Sequence, residues 1–354
     1  MNPAGRTVIS GWSAISPFGL RAADFTAGLR AAPDHDEPGG EVPGFDIREL
    51  LGRKGTRAMD RQTGLAVATA GQLLTGEDGE RIAGVGPDAA LVIGTNTASA
   101  QSMMDFARDT LTQSKPYHVD PKQFPNTVLN TAAARSAIWH QLTGPNATVS
   151  AGRASGLLAL NYARRLRRAG RAEVVLCGAV EELSPARRWL EADAGTLGEG
   201  CAMVLLEPAG RPTAHRRAEL AELLALEFGV AATPADVAPA LTGCVRRACI
   251  AAGESPDQIW AVARCGGPDP ECAGEADALT DLLGDKPPVQ LCATDLLGDT
   301  HGASAAFGLV ALLATAAGTG DAVGRTALVT AADRDGALGC ALLRLGPHRP
   351  ELDR

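Results

Sequence analysis

Two stretches of the chain repeat one order of elements, and that order constrains the fold more than any single motif. From Ala154 the sequence reads as a helix ("ASGLLALNYARRLRRAG"), a strand ("RAEVVLCGAVEE"), a loop and a proline-terminated strand ("CAMVLLEP"). From Gly302 it reads as a helix ("GASAAFGLVALLATAAG"), a strand ("RTALVTAADRDG"), a short loop and "CALLRLGP". The closing strands, Cys201–Pro208 and Cys340–Pro347, match in length, Cys, Ala, central Leu and terminal Pro. A recurring order of elements marks a duplicated unit. It predicts two α/β halves, residues 1–209 and 210–354, with sheets packed around shared central helices. The Pro/Gly/Arg-rich "EPAGRPTAHRRAEL" near residue 210 reads as their connector.

Short β-branched runs bounded by glycine supply the strands: "RTVISG", "AALVIGT", "AEVVLCG" and "RTALVTA". Ala/Leu/Arg-rich segments between them, 61–74 and 155–168 among them, carry helical patterning. Alternation of this kind predicts α/β layers with largely buried sheets. The chain has 354 residues, 45% hydrophobic and 21% charged, which excludes a disordered composition. Forty-one glycines against 4% aromatics suggest close backbone packing rather than an aromatic groove. A net charge of −8 does not favour nucleic acid. No apolar run approaches the roughly 20 residues that cross a bilayer, and "MNPAGRTVISGW" enters a strand without a signal-like segment. A soluble, cytoplasmic chain with no membrane contact is expected. The eight cysteines form no C-x-x-C pair and mostly sit in apolar runs, so buried free thiols are expected, and no metal site or cofactor.

"TVSAGRASGLLAL", from Thr148 to Leu160, has the layout of a nucleophile turn: a strand end, a small-residue elbow, then a helix. Such a turn lifts one side chain to the mouth of a site and aims helix N–H groups at it. The residue at its tip is Arg153, whose guanidinium stays protonated and cannot attack. Ser155, at the helix start, reads as an N-cap.

Along nearly all its length the chain resembles the β-ketoacyl synthases of the thiolase superfamily. "VISGWSAISPFG" resembles their opening strand and turn. "PGFDIRELLGRKGTRAMDRQTGLAVATA" resembles the next segment, with Phe45, Asp46, Met59, Asp60 and Arg61 in place. "FPNTVLNTAAARSAIWHQLTGPNATVSAGRASG" leads into the elbow with Asn130, Gly144 and Pro145 in register, and "GEGCAMVLLEP" resembles the strand after it. The resemblance implies a thiolase-like fold, two duplicated βα halves in a layered αβαβα architecture.

The catalytic positions depart from that family. Its nucleophilic cysteine corresponds to Arg153. Its first histidine aligns with Cys265 in "ARCGGPDPECAGEADAL". In "TDLLGDTHGASAAFG" its lysine aligns with Thr294 and its second histidine with Asp299, His301 lying two residues later. The glycine-rich C-terminal loop becomes "AADRDGALG", and the segment before Gly-Glu-Gly is shortened to "RRWLEADAGTLGEG". Decarboxylative condensation needs a thiolate to carry the acyl chain and neutral histidines to stabilise the enolate. The expectation is therefore no catalytic residue, with Arg153, Cys265 and Asp299 as degenerate positions. A buried guanidinium needs a carboxylate, and Asp299 is the expected partner of Arg153; binding of an acyl carboxylate by Arg153 is the alternative.

Chains of this kind resemble the chain-length factor, the inactive partner of a type II polyketide ketosynthase. That implies a heterodimer with an active ketosynthase, an acyl carrier protein reached through the complex, and a strand after the elbow that pairs across the two-fold axis. In the family the helix of "SMMDFARDTL" lies at the interface, so Met103, Met104 and Phe106 are candidate tunnel residues; plain core packing is the other reading. Two further readings stay open: a diverged thiolase-fold acyltransferase using Cys265 or another group on carrier-bound acyl chains, and a homodimeric scaffold without an acyl ligand. His301 reads as a helix-start residue, and the arginines at 164, 165, 167, 168 and 171 as a solvated helix end.

Overall fold

The computed structural model describes residues 5–31, 39–76, 78–192, 195–284 and 289–347. The first four residues, part of the stretch read as lacking a signal, lie outside them. The strands are β1 (Thr7–Ile15), β2 (Ala90–Gly94), β3 (Asn146–Val149), β4 (Val175–Glu181), β5 (Gly200–Pro208), β6 (Ala221–Val230), β7 (Ile259–Arg264), β8 (Val289–Cys292), β9 (Thr326–Ala332) and β10 (Ala337–Leu345). In the first half the helices are α1 (Ala22–Ala31), α2 (Ile47–Leu51), α3 (Arg61–Leu74), α4 (Ala100–Thr112), α5 (Thr131–Trp139), α6 (Ser155–Arg168) and α7 (Pro185–Leu190). Then come α8 (Arg211–Ala214), α9 (Pro234–Ala252), α10 (Pro270–Leu283), α11 (Ala293–Leu297) and α12 (Ser304–Ala317).

The strand order is β3-β2-β4-β5-β1-β6-β10-β9-β7-β8. Read from the centre outward it is the same in both directions: first strand, fifth, fourth, second, third. β2 runs parallel to β3 and β4, as β7 does to β8 and β9, and the remaining pairs are antiparallel. The two five-stranded halves pair through Val8 with Glu222 and Ile9 with Ala221.

Three apolar clusters set the layers. Leu157 and Leu160 of α6 and Phe307, Val310 and Leu312 of α12 pack with inner-face residues of both halves, such as Cys177 and Val329. α3 and α5 cover the outer face of the first half, against Leu91, Ile93, Leu176 and Met203. α9 and α10 cover the outer face of the second, against Val262, Leu328, Cys340 and Leu342. This is the αβαβα order. α12 is apolar on every side, as a helix enclosed between two sheets must be. Gly156 lets the two central helices touch, since a Cβ there would lie 2.7 Å from the Ala306 nitrogen.

Helix boundaries follow capping chemistry. Asp60 accepts the Thr63 N–H at 2.8 Å to open α3. Thr233 and Asp236 form a reciprocal box that opens α9. The segment read as a connector holds the end of β5 and the short α8.

Candidate functional site

The elbow lies between β3 and α6. Gly152 has φ +52°, and a Cβ there would fall 2.0 Å from the Asp333 carboxyl carbon. Only glycine leaves room for that carboxylate, which accepts the Arg153 backbone N–H at 2.9 Å. Ser155 does not cap α6. Ala154 already has helical backbone angles, and the Ser155 hydroxyl bonds within the turn, accepting from the Ala151 N–H at 2.9 Å and donating to the Gly152 carbonyl at 2.6 Å.

The Arg153 side chain is buried, and three carboxylates surround it. Nη1 donates to Asp269 Oδ2 at 2.7 Å and lies 4.0 Å from Asp333 Oδ1, while Nη2 donates to Asp299 Oδ2. The structure thus brings Arg153 and Asp299 together and adds two partners that the sequence reading missed. Asp269 precedes α10, Asp299 follows α11 and Asp333 follows β9, so separate loops meet at the elbow.

The network continues through His301. Its backbone N–H donates to Asp299 Oδ1 at 2.7 Å, Nδ1 lies 2.6 Å from Glu191 Oε1, and Nε2 lies 3.4 Å from Asp333 Oδ1. Glu191 Oε2 accepts from Nε of the fully buried Arg187 at 2.8 Å. Arg187 also donates to the carbonyls of Glu182, Gly198 and Asp299 at 3.1, 2.7 and 2.8 Å. His301 holds φ +43°, an unfavourable angle for a histidine that this web of contacts sustains. Reading His301 as a mere helix-start residue overlooked its place between two carboxylates.

The electrostatics follow from burial and partners. Burial opposes charge on Arg153, but Asp299 and Asp269 reverse that and raise its pKa. Burial likewise opposes a charged His301, yet Asp333 and Glu191 lift it to about 9. Burial disfavours charge on Glu191 and Asp333, but His301 and their other donors hold each down at about 2. Near neutral pH, then, His301 is protonated and lies between the charged carboxylates of Glu191 and Asp333. A cleft of about 90 Å³ beside them is lined by Arg153, Glu191, Asp269, Asp299, His301 and Arg334.

Chemically, Arg153 offers no lone pair for attack, and a protonated His301 is no general base. Cys265 is fully buried beneath the elbow, with Sγ 3.5 Å from the Thr330 carbonyl and 3.9 Å from that of Arg153. Burial and the neighbouring Glu275 push its thiol well above the ordinary range, so it holds no thiolate at neutral pH. Thr294 donates its hydroxyl to the Cys265 carbonyl at 3.0 Å. All eight cysteines are buried and unpaired. Among the described residues, no cluster of His, Cys, Asp or Glu is arranged to hold a metal ion, and no helix is long and apolar enough to cross a membrane.

The candidate tunnel residues lie elsewhere, on α4. Met103 is 51% exposed and Met104 39%, while Phe106 is half-buried with its ring 5.9 Å from that of Phe124. They are not core. α4 touches α7 and the turn Phe124–Thr127, which in turn touches α5, beside β3. On these elements Phe124, Ile138, Trp189 and Leu190 are exposed too. The strand after the elbow, β4, is enclosed by β2 and β5 and has no free edge. In this half the free edge belongs to β3, before the elbow, which corrects the strand expected to pair with a partner. The arginine cluster is also less solvated than expected: Arg164 and Arg167 are half-buried, and Arg167 donates to the Arg6 and Glu173 carbonyls at 3.1 and 3.2 Å.

Comparison with known proteins agrees with this geometry. Residues 6–196 match the family Beta-ketoacyl synthase, N-terminal domain. The chain is 28% identical over 191 residues to 3-oxoacyl-[acyl-carrier-protein] synthase 2 of Synechocystis sp., an alignment covering 50% of this chain and 45% of that protein. The chain thus spans about half the length of the curated relatives matched first. Among solved structures, the ishigamide ketosynthase/chain length factor superposes with TM-score 0.88 at 41% identity, covering 97% of this chain and 100% of the other. A type II polyketide acyl-carrier protein in complex with its ketosynthase bound to the hexaketide gives TM-score 0.78 at 19% identity, covering 96% and 99%, a likeness of fold. With the matched domain, the duplicated layers and the elbow all in place, the chain belongs to the β-ketoacyl synthase family.

Proposed function

We propose that this chain is a non-catalytic, ketosynthase-like subunit, a chain-length factor that pairs with an active ketosynthase and shapes the acyl tunnel in type II polyketide or polyene assembly. One observation carries the proposal: the position that resembles the nucleophile's holds a buried arginine paired with carboxylates. Condensation requires a thiolate and donors for a developing enolate. Here the position of the thiolate is a cation, and an aspartate stands where one donor belongs. A partner subunit would supply both. The exposed apolar side chains of α4, α5 and α7 beside the free edge of β3 support a protein partner on that face. An acyl carrier protein would act on the partner's cysteine through the complex. The likeness to the ishigamide ketosynthase/chain length factor supports the same setting.

The test is co-expression with an active ketosynthase from the same cluster of genes. A one-to-one complex that condenses malonyl units, while this chain alone does not, is the expected result. Arg153→Cys alone should not restore condensation. A stoichiometric acyl adduct on Cys265 of the isolated chain, detected by intact mass, would favour the acyltransferase reading instead. A stable homodimer that ignores the ketosynthase would favour the scaffold.

A further inference from the structure

At the opposite end of the sheet from β3, β8 forms the second edge, and α10 packs over β7 beside it. A groove of about 560 Å³ opens there, within the range of roughly 300–1,000 Å³ typical of small-molecule sites. Its lining mixes apolar side chains (Val262, Leu279, Leu283, Leu291 and Leu296) with polar ones (Thr280, Gln290 and Asp295). Among the described residues its one cation is Arg264, at the end of β7.

Arg264 is poorly partnered for a side chain so placed. It is about one-third exposed, and its ion pair is a loose 3.5 Å contact with Asp295, whose side chain is 72% exposed. Among the described residues no hydrogen bond to its guanidinium is found. An exposed, water-screened pair contributes little, so the five donors of a permanently charged fork stay available to a planar acceptor. The lining also excludes other ligand classes. Among the described residues no aromatic side chain lines the groove to stack a base or an aryl ring. Asp295 at the rim disfavours a multiply charged phosphate. What remains is one carboxylate on an aliphatic tail.

We propose that this groove binds an aliphatic monocarboxylate, its head on Arg264 and its tail along Val262, Leu279 and Leu283. This site is separate from the elbow and from the α4 face, and the proposal does not depend on the chain-length reading.

Titration of the full chain with decanoate, followed by calorimetry, tests it, with decan-1-ol as the uncharged control. Saturable one-to-one binding of decanoate is expected, about tenfold or more tighter than that of the alcohol. Arg264→Gln should remove that preference. Ala276→Trp, which fills the groove from a half-buried position on α10, should abolish binding, and thermal melting checks that each variant folds. Met103→Glu, on the α4 face, should leave decanoate binding unchanged. Equal affinity for the alcohol, a preference that survives Arg264→Gln, loss of binding in Met103→Glu, or no saturation at millimolar decanoate would each overturn the assignment. Should Ala276→Trp fail to fold, the Arg264→Gln comparison decides alone.

Discussion

Replacing Arg153 by methionine keeps much of the side-chain volume and discards the charge. In the native fold that charge faces Asp299 and Asp333, both 1% exposed, and Asp269 at the rim. Removing one partner of a buried ion pair costs about 3–5 kcal/mol, because the other charge is left stranded. Unfolding entropy near 2.1 cal/mol/K per residue gives about 0.7 kcal/mol/K for a chain of this size, so the melting temperature should fall by roughly 4–7 °C. Adding Asp299→Asn should recover most of the loss, since an uncharged, well-packed replacement for a buried pair is often near neutral. The coupling in this double-mutant cycle isolates the interaction from lost packing. The deficit should also shrink as pH falls from 8 toward 5, where a stranded carboxylate in the folded state can take up a proton. Scanning calorimetry of the two single variants and the double variant provides the assay. Additive effects below about 1 kcal/mol, or a deficit independent of pH, would refute the view that the elbow is held by buried charge.

Three further outcomes can be checked. His301 titrates at about 9 when folded, against an ordinary value near 6.5, so its contribution is complete below pH 6.5 and lost as pH rises through 9. The stability of His301→Gln relative to wild type, followed by thermal melting, should therefore improve between pH 7 and 10; a flat difference contradicts the ion-pair assignment. Gly152→Ala places a methyl group against the Asp333 carboxyl and forces alanine to φ +52°; the melting curve should show a loss of about 2 kcal/mol or more. With an active partner, Met103→Ala, Met104→Ala and Phe106→Ala should each lengthen products without stopping turnover, because an overlong chain displaces a packed side chain at about 1–3 kcal/mol. An unchanged product distribution in all three variants removes the tunnel role from α4.

Much of the fold was legible because its signals are local. α3 and α6 could be read from their apolar periodicity, and the strands of the quoted β-branched runs formed as read. β6 was not legible. "AELLALEFGV" is built largely of Ala, Leu and Glu, good helix formers, yet it lies between β1 and β10 and pairs with β10 through nearly its whole length. Tertiary pairing overrode local preference there. β8, only four residues long, carries too little pattern to be seen in sequence.

The site divides along the same line. Asp299 could be named as a partner for Arg153 because it falls on an aligned motif position. Asp269 and Asp333 lie 116 and 180 residues from Arg153, and only the folded strand ends bring them to the elbow. A physical signal was nevertheless present in the chain. A guanidinium at the tip of a buried turn requires anionic neighbours, and the loops "GGPDPEC" and "AADRDG" carry aspartates where β7 and β9 give way to loop. Charge balance then asks for a further cation to offset the surplus of carboxylates. His301 is that group, and its position two residues after Asp299 follows from the same demand. Its backbone N–H serves Asp299 while its ring reaches Asp333 and Glu191. Arg153, Asp299 and His301 therefore read as one electrostatic unit.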